Sequence, residues 1–260
     1  MEYKGRVAVV TGASSGIGLE YAKEFAKRGS HLILVARRKE ELDTLAAELK
    51  KAHGVMVETI ALDLSKLESG QQLVDAISKL KLEPEILINN AGFGTNHKVA
   101  NEDRTKIQQE IVLNVATLVD LTAAYLPSML KNNLGAIVNI ASTAGYQPVP
   151  NMAVYAATKA FVLSFTSAVW GEVMGTNVRV LTVSPGATAT DFFNVAKAKP
   201  LGALAPISSV VNRTFKALDA KKSVPAVIVG TQNALLAKVS SLLPRAMVVK
   251  VAAGMFEPKN

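Results

Sequence analysis

The sequence contains no cysteine, and this absence excludes several kinds of chemistry. A chain without thiols forms no disulfides, no thiolate metal sites and no cysteine nucleophile. The only histidines, His31, His53 and His97, are too scattered to form a ligand pair at helical spacing. We therefore expect a globular protein without a metal site.

Segments that direct a chain to or across a membrane are also lacking. The start, MEYKGRVAVVTG, has neither the apolar core nor the small-residue cleavage site of a signal peptide. No uncharged apolar run reaches the ~18–20 residues that span a bilayer. We expect a cytoplasmic protein.

The formal net charge of +8 comes from the C-terminal quarter of the chain. Residues 1–196 carry 19 basic and 19 acidic side chains, so this part is neutral. From Lys197 onward, ten basic residues face only Asp219 and Glu257. These basic residues alternate with apolar ones and form no nucleic-acid-binding motif, so no nucleic-acid partner is predicted.

Seven short apolar runs alternate with longer amphipathic stretches along the chain. Several runs are apolar on both faces, which is typical of parallel strands covered by helices. The predicted strands are 6–12, 31–37, 55–63, 85–92, 135–142, 177–186 and 225–230. The predicted helices are 16–29, 39–52, 66–81, 102–131, 152–174 and 206–220.

This alternation predicts an α/β fold, a single-domain doubly wound parallel seven-stranded sheet (Rossmann fold) with right-handed crossovers. Residues 1–230 contain all seven strands. Residues 231–260 are expected to form a C-terminal helical extension of the same domain, with helices at 231–243 and 245–256 separated by Pro244.

A glycine-rich turn, TGASSGIG, joins the first predicted strand to the first predicted helix. Glycines let the backbone approach a pyrophosphate, whose charge the helix N-terminus favours. Because the turn lies between a strand and a helix, a dinucleotide site is favoured over a tight turn without a ligand. The candidate binding residues are Gly12, Ser14, Ser15, Gly16, Ile17 and Gly18.

The end of the second predicted strand indicates which dinucleotide is bound. An NAD enzyme needs a carboxylate there for the ribose 2′-hydroxyl, but this sequence has Ala36. Arg37 and Arg38 follow, and arginine suits a 2′-phosphate. NADP(H) is thus favoured over NAD(H), with Arg37 as the first candidate and Arg38 and Ser14 next; the alternative is an ordinary solvated arginine pair.

Tyr155 and Lys159, in VYAATKAF, are four residues apart within a predicted helix and so share one face. A neighbouring ammonium group favours the phenolate and lowers the pKa of a tyrosine. Such a pair is suited to proton transfer near neutral pH. A chance pair of surface side chains has the same spacing, so the wider context decides between the two interpretations.

Over about residues 5–230 the sequence resembles the short-chain dehydrogenase/reductase superfamily. The glycine-rich turn, TGASSGIG, resembles the family's cofactor loop, and further motifs follow in the family's order. Asp63 and Leu64 resemble its adenine-contacting pair, and Asn90, Ala91 and Gly92 in NNAG resemble the element that closes against the adenosine. Pro185, Gly186, Thr188 and Thr190 in SPGATAT resemble its nicotinamide-binding segment, with Thr188 where isoleucine or valine is more usual.

The same resemblance implies a catalytic set of Asn114, Ser142, Tyr155 and Lys159. Tyr155 would protonate the carbonyl oxygen, and Ser142 would orient that oxygen. Lys159 would lower the pKa of Tyr155 and hold the cofactor ribose. Asn114 would hold a proton-relay water. Residues 1–230 would then bind the dinucleotide and carry the chemistry.

The function implied is an NADPH-dependent oxidoreductase that transfers hydride between nicotinamide and a carbonyl or secondary alcohol. The predicted loops 143–152 and 190–206 are apolar and suggest a lipophilic ketone, aldehyde or 3-oxoacyl substrate. The loop residues expected to face it are Tyr146, Gln147, Phe192, Phe193 and Leu201; alternatively, they pack the underside of their own lid. A catalytically silent NADP(H)-binding sensor or scaffold is the second hypothesis.

The family's usual glycine-rich C-terminal ending is missing here. We therefore expect a homodimer through the helices at 102–131 and 152–174 rather than the tetramer of many relatives. The apolar residues of 234–256, spaced with Lys238, Arg245 and Lys250, are expected to pack on this subunit or on a partner subunit. Weak contact of these helices with an anionic membrane is the alternative.

Overall fold

A computed structural model describes residues 1–200 and 202–255, and it contains one sheet of seven strands. The strands are β1 (Val7–Thr11), β2 (His31–Ala36), β3 (Val57–Ala61), β4 (Ile86–Asn89), β5 (Gly135–Ile140), β6 (Val178–Ser184) and β7 (Ala226–Ile228). They lie in the order β3-β2-β1-β4-β5-β6-β7, and every pair is parallel. The predicted doubly wound fold is confirmed.

The α-helices lie where the sequence predicts them, except that the predicted helix 102–131 is divided in two and a short helix after β6 is additional. They are α1 (Gly16–Lys27), α2 (Lys39–His53), α3 (Ser69–Lys79), α4 (Arg104–Ile111), α5 (Thr117–Lys131), α6 (Ala153–Glu172), α7 (Phe192–Val195), α8 (Ile207–Leu218), α9 (Thr231–Leu242) and α10 (Arg245–Met255). Leu201 and the last residue of the predicted helix 245–256 lie outside the described residues.

Helices cover both faces of the sheet, because its strands are apolar on both sides. In β2, Leu32 and Leu34 pack into the core beneath α1, α2 and α8, whereas Ile33 and Val35 pack beneath α3, α5 and α6. This alternation is the period-two pattern of a strand. It produces the two hydrophobic cores of a three-layer α/β domain.

The predicted helix 102–131 contains an irregularity that the sequence does not reveal. Asp103 caps its start by accepting the Thr105 N–H at 2.9 Å, and the α-helix then ends at Ile111. A π-helical turn, Val112–Ala116, follows before the α-helix resumes. Such turns are frequent at functional sites, and this one contains Asn114.

Within the part of the chain that the structure describes, two helical segments are long and apolar enough to cross a membrane: Arg104–Lys131 and Ala153–Glu172. Core helices of a folded domain satisfy the same test. Here both segments contribute to the packed layer on one face of the sheet. Packing against the sheet therefore explains part of the apolar character of these two helical segments.

The order of the strands positions the functional site. From β1 the chain proceeds outward to β2 and β3, and it then returns to β4 on the other side of β1. The connecting helices at this point lie on opposite faces and leave a crevice at the carboxyl ends of β1 and β4. Ligands of open α/β sheets bind in such a crevice.

Candidate active site

At three positions, the turn between β1 and α1 requires glycine or strongly favours it. Gly12 and Gly16 have φ values of +68° and +57°, in the left-handed region. A Cβ on Gly12 would lie 2.8 Å from Asn90 Nδ2, and a Cβ on Gly18 would overlap the Gly12 carbonyl oxygen. The backbone therefore curves closely at the N-terminus of α1, as binding of a pyrophosphate requires.

Thr11, which the sequence-based site omits, holds this turn against the end of β4. Its hydroxyl donates to the Ile88 carbonyl at 3.1 Å and accepts the N–H groups of Asn90 and Ala91 at 2.9 and 3.0 Å. The Asn90 amide in turn donates to the Thr11 carbonyl at 2.9 Å. These bonds place the predicted adenosine-closing residues beside the glycine turn.

The two arginines after β2 have different surroundings. Arg38 extends to the glycine turn, where its Nε and Nη2 donate to Ser14 Oγ at 3.3 and 3.0 Å. Arg37 instead acts electrostatically on Asp63 at the end of β3. Arg38 and Ser14 therefore form the stronger candidate pair for a 2′-phosphate.

Asp63 and Leu64 are held firmly in place after β3. Burial alone would raise the pKa of Asp63, but two hydrogen bonds from Ser65 (2.7 Å from the hydroxyl, 3.1 Å from the N–H) and the Arg37 charge lower it. Asp63 is thus an anion at neutral pH. The Leu64 side chain is buried in the core, and its carbonyl accepts the Thr117 hydroxyl at 2.9 Å.

The predicted catalytic residues converge beyond the carboxyl end of β5. Tyr155 and Lys159 lie on the buried side of α6. The Ser142 side chain lies close enough to the Tyr155 hydroxyl to affect its pKa, and Ser142 Oγ accepts the Ala144 N–H at 3.1 Å. Lys159 Nζ donates to the Ile140 carbonyl at 2.8 Å. The side chains of Ser142 and Tyr155 thus lie next to each other beyond the carboxyl end of β5.

The ionisation of this pair differs from the sequence-based expectation that Lys159 would lower the pKa of Tyr155. Burial raises the pKa of Tyr155 to about 12, and the neighbouring Ser142 side chain acts in the opposite direction. Lys159 Nζ lies 5.7 Å from the centre of the phenol ring, and burial lowers the pKa of Lys159 itself to about 8. Tyr155 is therefore fully protonated at neutral pH, as a proton donor must be.

Asn114 is buried in the π-helical turn, and both ends of its amide form hydrogen bonds. Its Nδ2 donates to the Phe93 carbonyl at 2.9 Å and to Thr158 Oγ1 at 3.1 Å, and its Oδ1 accepts the Phe93 N–H at 3.3 Å. A Cβ on Gly92 would lie 2.9 Å from Asn114 Oδ1 and 3.4 Å from Lys159 Nζ. Only a glycine leaves the space between the amide and the ammonium group free.

The segment after β6 faces the glycine turn across the crevice. The Thr143 N–H donates to the Pro185 carbonyl at 2.9 Å, and Thr188 Oγ1 donates to the Gly186 carbonyl at 3.0 Å. A Cβ on Gly16 would lie 3.3 Å from the Thr190 methyl group. The predicted nicotinamide segment and the predicted phosphate turn therefore border the same crevice.

An apolar cluster covers Tyr155. The Phe192 ring lies 5.0 Å from the Tyr155 ring, and Val149 and Met152 are buried beside them. A Cβ on Gly94 would lie 2.8 Å from the Tyr155 ring and 3.0 Å from the Phe192 ring. The first residue of α7 thus packs its aromatic ring against the ring of the catalytic tyrosine.

Further residues contact the site without a sequence signal that singles them out. Thr158 bonds Asn114, and Asn233 in α9 fills the space beside Gly186. Glu110, in α4, is fully buried and acts electrostatically on both Tyr155 and Lys159. Because most residues of α4 are polar, the sequence pattern does not show that Glu110 is the buried one.

Comparison with known proteins identifies the family. The profile of the short chain dehydrogenase family matches residues 6–200. The chain belongs to the short-chain dehydrogenase family. This confirms the resemblance found in the sequence, and the site described above lies within the matched residues except for α9.

Two curated relatives of this short-chain dehydrogenase are very-long-chain 3-oxoacyl-CoA reductases. The protein from Anas platyrhynchos is 36% identical over 198 residues, which cover 74% of this chain and 63% of that relative. The protein from Mus musculus is 30% identical over 255 residues, which cover 96% of this chain and 79% of that relative. The match thus spans less than two thirds of the avian relative.

Two solved structures extend the likeness over nearly the whole chain. A 7β-hydroxysteroid dehydrogenase has a TM-score of 0.86 and 25% identity, covering 96% of this chain and 98% of that chain. A short-chain dehydrogenase from Sphingobium yanoikuyae, in complex with NADPH, has a TM-score of 0.79 and 32% identity, covering 93% and 97%. The fold of this short-chain dehydrogenase is therefore that of nucleotide-dependent oxidoreductases.

Proposed function

We propose that this short-chain dehydrogenase is an NADPH-dependent carbonyl reductase, which also oxidises the corresponding secondary alcohol. The observation that carries the proposal is that the Ser142 and Tyr155 side chains lie next to each other beside Lys159, at the crevice that the closely curved glycine turn also borders. The predicted cofactor, NADP(H), is confirmed by the NADPH complex of the Sphingobium relative. No observation favours the silent binding module.

The residues of this chain perform the proton half of the reaction. Tyr155 donates its hydroxyl proton to the carbonyl oxygen, and Ser142 holds that oxygen with a hydrogen bond. Lys159, whose ammonium group is still largely protonated at pH 7, would hold the ribose hydroxyls of the cofactor. NADPH, when bound along the glycine turn, supplies the hydride. Arg38 and Ser14 would hold its 2′-phosphate.

The apolar cluster of Val149, Met152 and Phe192 supports a lipophilic carbonyl substrate, such as a 3-oxoacyl compound or a bulky ketone. The names of the avian and murine relatives agree with this class. Each methylene buried against such a surface stabilises by about 0.8 kcal/mol, or roughly fourfold in affinity. Substrates with longer alkyl chains should therefore be reduced more efficiently.

A panel of 3-oxoacyl thioesters and methyl ketones of increasing chain length tests this function. We expect NADPH oxidation with kcat/KM rising by up to about 15-fold per pair of methylene groups until the apolar surface is filled, and much slower oxidation of NADH. Equal kcat/KM for short and long chains would contradict the apolar substrate site. Failure of every carbonyl to oxidise NADPH would contradict the reductase itself.

We also propose that two copies associate through α5 and α6. In the most apolar part of each helical segment, only 33% (Arg104–Lys131) and 39% (Ala153–Glu172) of the residues are buried. Leu130 and the stacked ring of Phe161 are among the apolar side chains exposed there. A homodimer that paired these helices would remove both side chains from water.

A second apolar surface lies on α9 and α10. Of their described hydrophobic side chains, only Ala237, Val248 and Ala252 are buried. Leu242 is 76% exposed. The exposed apolar side chains, which we call the C-terminal surface, are Leu235, Leu236, Val239, Leu242, Leu243, Met247, Val249 and Val251. Packing on this subunit therefore explains only a small part of the apolar character of these helices.

We propose that the C-terminal surface makes weak contact with anionic membranes in the cytoplasm. Residues 231–255 contain three cations, Lys238, Arg245 and Lys250, and no acidic residue. In a symmetric dimer through this surface the same cations would face one another, whereas an anionic lipid surface attracts them. Each cation contributes about 1 kcal/mol, so binding should be reversible and sensitive to salt.

Sedimentation and vesicle flotation test both surfaces on one sample. We expect a dimer that floats with phosphatidylserine vesicles at low salt, is released at high salt, and ignores neutral vesicles. Leu235→Ser combined with Leu242→Ser should abolish flotation and keep the dimer. Phe161→Glu should instead dissociate the dimer and leave flotation unchanged. A monomeric parent contradicts the helical interface, and a dimer lost on changing Leu235 and Leu242 assigns the C-terminal surface to a partner subunit.

A further inference from the structure

Glu110 is a buried carboxyl group for which the catalytic scheme above has no use. Its Oε2 accepts the Thr95 hydroxyl at 2.9 Å, whereas its Oε1 is buried without a hydrogen-bond partner in the part of the chain that the structure describes. An unpartnered buried carboxylate oxygen is costly, and protonation removes most of that cost. The geometry therefore favours a carboxylic acid at this position.

Two charged groups act on Glu110: Glu102, just before α4, and Lys159 on α6. Burial is the largest effect and raises the pKa of Glu110 to about 7; the neighbouring carboxylate of Glu102 adds to it, while Thr95 and Lys159 oppose it. In return, the charge of Glu110 raises the pKa of Tyr155 and that of Lys159. The proton on Glu110 is thus coupled to the catalytic pair on α6.

A short loop after β4 connects these groups. Gly92 lies against both Asn114 Oδ1 and Lys159 Nζ, and Thr95, three residues later, bonds Glu110. Glu110 precedes Asn114 by four residues, and both side chains are buried. The amide, the ammonium group and the carboxyl group therefore border one loop beside the catalytic tyrosine.

We propose that Glu110 is a positioning residue that stores the proton with which Tyr155 is restored after each reduction. This rests on the proposed function, in which the Tyr155 O–H bond breaks and its proton goes to the carbonyl oxygen. The Glu110 O–H bond then breaks, and the proton passes through the Lys159 ammonium group or a water to the phenolate oxygen. The carboxylate regains a proton from solvent, and no electrons are exchanged.

A purely structural role, in which Glu110 only anchors Thr95, is the competing explanation. Glu110→Gln separates the two, because the amide oxygen still accepts the Thr95 hydroxyl but the side chain no longer titrates. Thr95→Val is the complementary variant, because it removes the hydrogen bond to Glu110 but leaves the titrating carboxyl group in place. Glu102→Gln controls for loss of a neighbouring negative charge.

The pH profile of kcat distinguishes these roles. We expect carbonyl reduction by the parent to slow as the pH rises through about 7, because Glu110 then loses the proton that it would pass to Tyr155. Glu110→Gln should lose this inflection and have a kcat lower by about tenfold at pH 6, with KM little changed. Thr95→Val and Glu102→Gln should both retain an inflection. Unchanged kcat in Glu110→Gln, or a lower kcat with the inflection retained, would overturn the proposal.

Thermal unfolding of the protein without cofactor gives a readout independent of catalysis. Because the folded-state pKa lies above the ordinary value for glutamate, the stabilising contribution of the protonated group is present below pH 4.5 and lost as pH rises through about 7. The Tm of Glu110→Gln should therefore rise relative to the parent between pH 5 and pH 8. A difference that does not change with pH would overturn the proposal, even if the parent reduces no carbonyl tested and the proposed function fails.

Discussion

Replacing Tyr155 with phenylalanine should lower kcat by at least about 100-fold while NADPH still binds with nearly the parent's affinity. The phenol hydroxyl is the only part of the side chain removed, and a positioned proton donor contributes about 10²–10⁴-fold. The ring stays in contact with Phe192, and Ser142 keeps its bond from the Ala144 N–H. Stopped-flow kinetics and NADPH fluorescence measure the two quantities.

Tyr125→Phe is the matched control for this variant. The Tyr125 hydroxyl is also buried, but it has no hydrogen-bond partner among the described residues and lies in the core beneath α5. Its removal should leave kcat unchanged and cost little stability, because no bond is broken. If Tyr155→Phe keeps a rate near that of the parent on a substrate that the parent reduces, Tyr155 is not the proton donor.

Replacing Arg38 with alanine should weaken NADPH by roughly 10–100-fold and NADH hardly at all. A charge-assisted hydrogen bond to the 2′-phosphate contributes about 1.5–3 kcal/mol, and NADH has no such phosphate. Arg38 is chosen because its guanidinium group reaches Ser14 in the glycine turn. Equilibrium titration with each cofactor measures the two dissociation constants.

Arg37→Ala provides the comparison on the same segment. Arg37 acts on Asp63, which faces the part of the site expected to hold adenine, and both cofactors contain adenine. Its removal should therefore affect NADPH and NADH by similar factors. The reverse result, with Arg37 selective and Arg38 not, would assign the 2′-phosphate to Arg37, as the sequence alone suggested.

The fold and the family could be predicted from sequence because their signals are local and ordered. Apolar runs with period two, a glycine turn after β1 and the Tyr155–Lys159 pair each follow from a few adjacent residues. Strands that alternate with helices indicate a parallel sheet with right-handed crossovers, although the order of the strands comes from the structure. The prediction needed no information on contacts between distant residues.

The remaining features depend on such distant contacts. The π-helical turn at Asn114 forms where the amide bonds both the N–H and the carbonyl of Phe93, 21 residues away. The raised pKa of Glu110 arises from burial among groups that are not its neighbours in sequence. The exposure of the apolar side chains on α9 and α10 depends on which other parts of the chain pack against these helices, and the sequence pattern does not show that.

Transfer of deuterium tests the central claim most directly. The parent is incubated with a long-chain carbonyl substrate and NADPH labelled at C4 of the nicotinamide, once on each face, and the alcohol product is analysed by mass spectrometry. Hydride transfer at a single site predicts label in the product from one of the two cofactors only, and almost none when Tyr155→Phe replaces the parent. Unlabelled alcohol from both cofactors, or equal label with Tyr155→Phe, would contradict it.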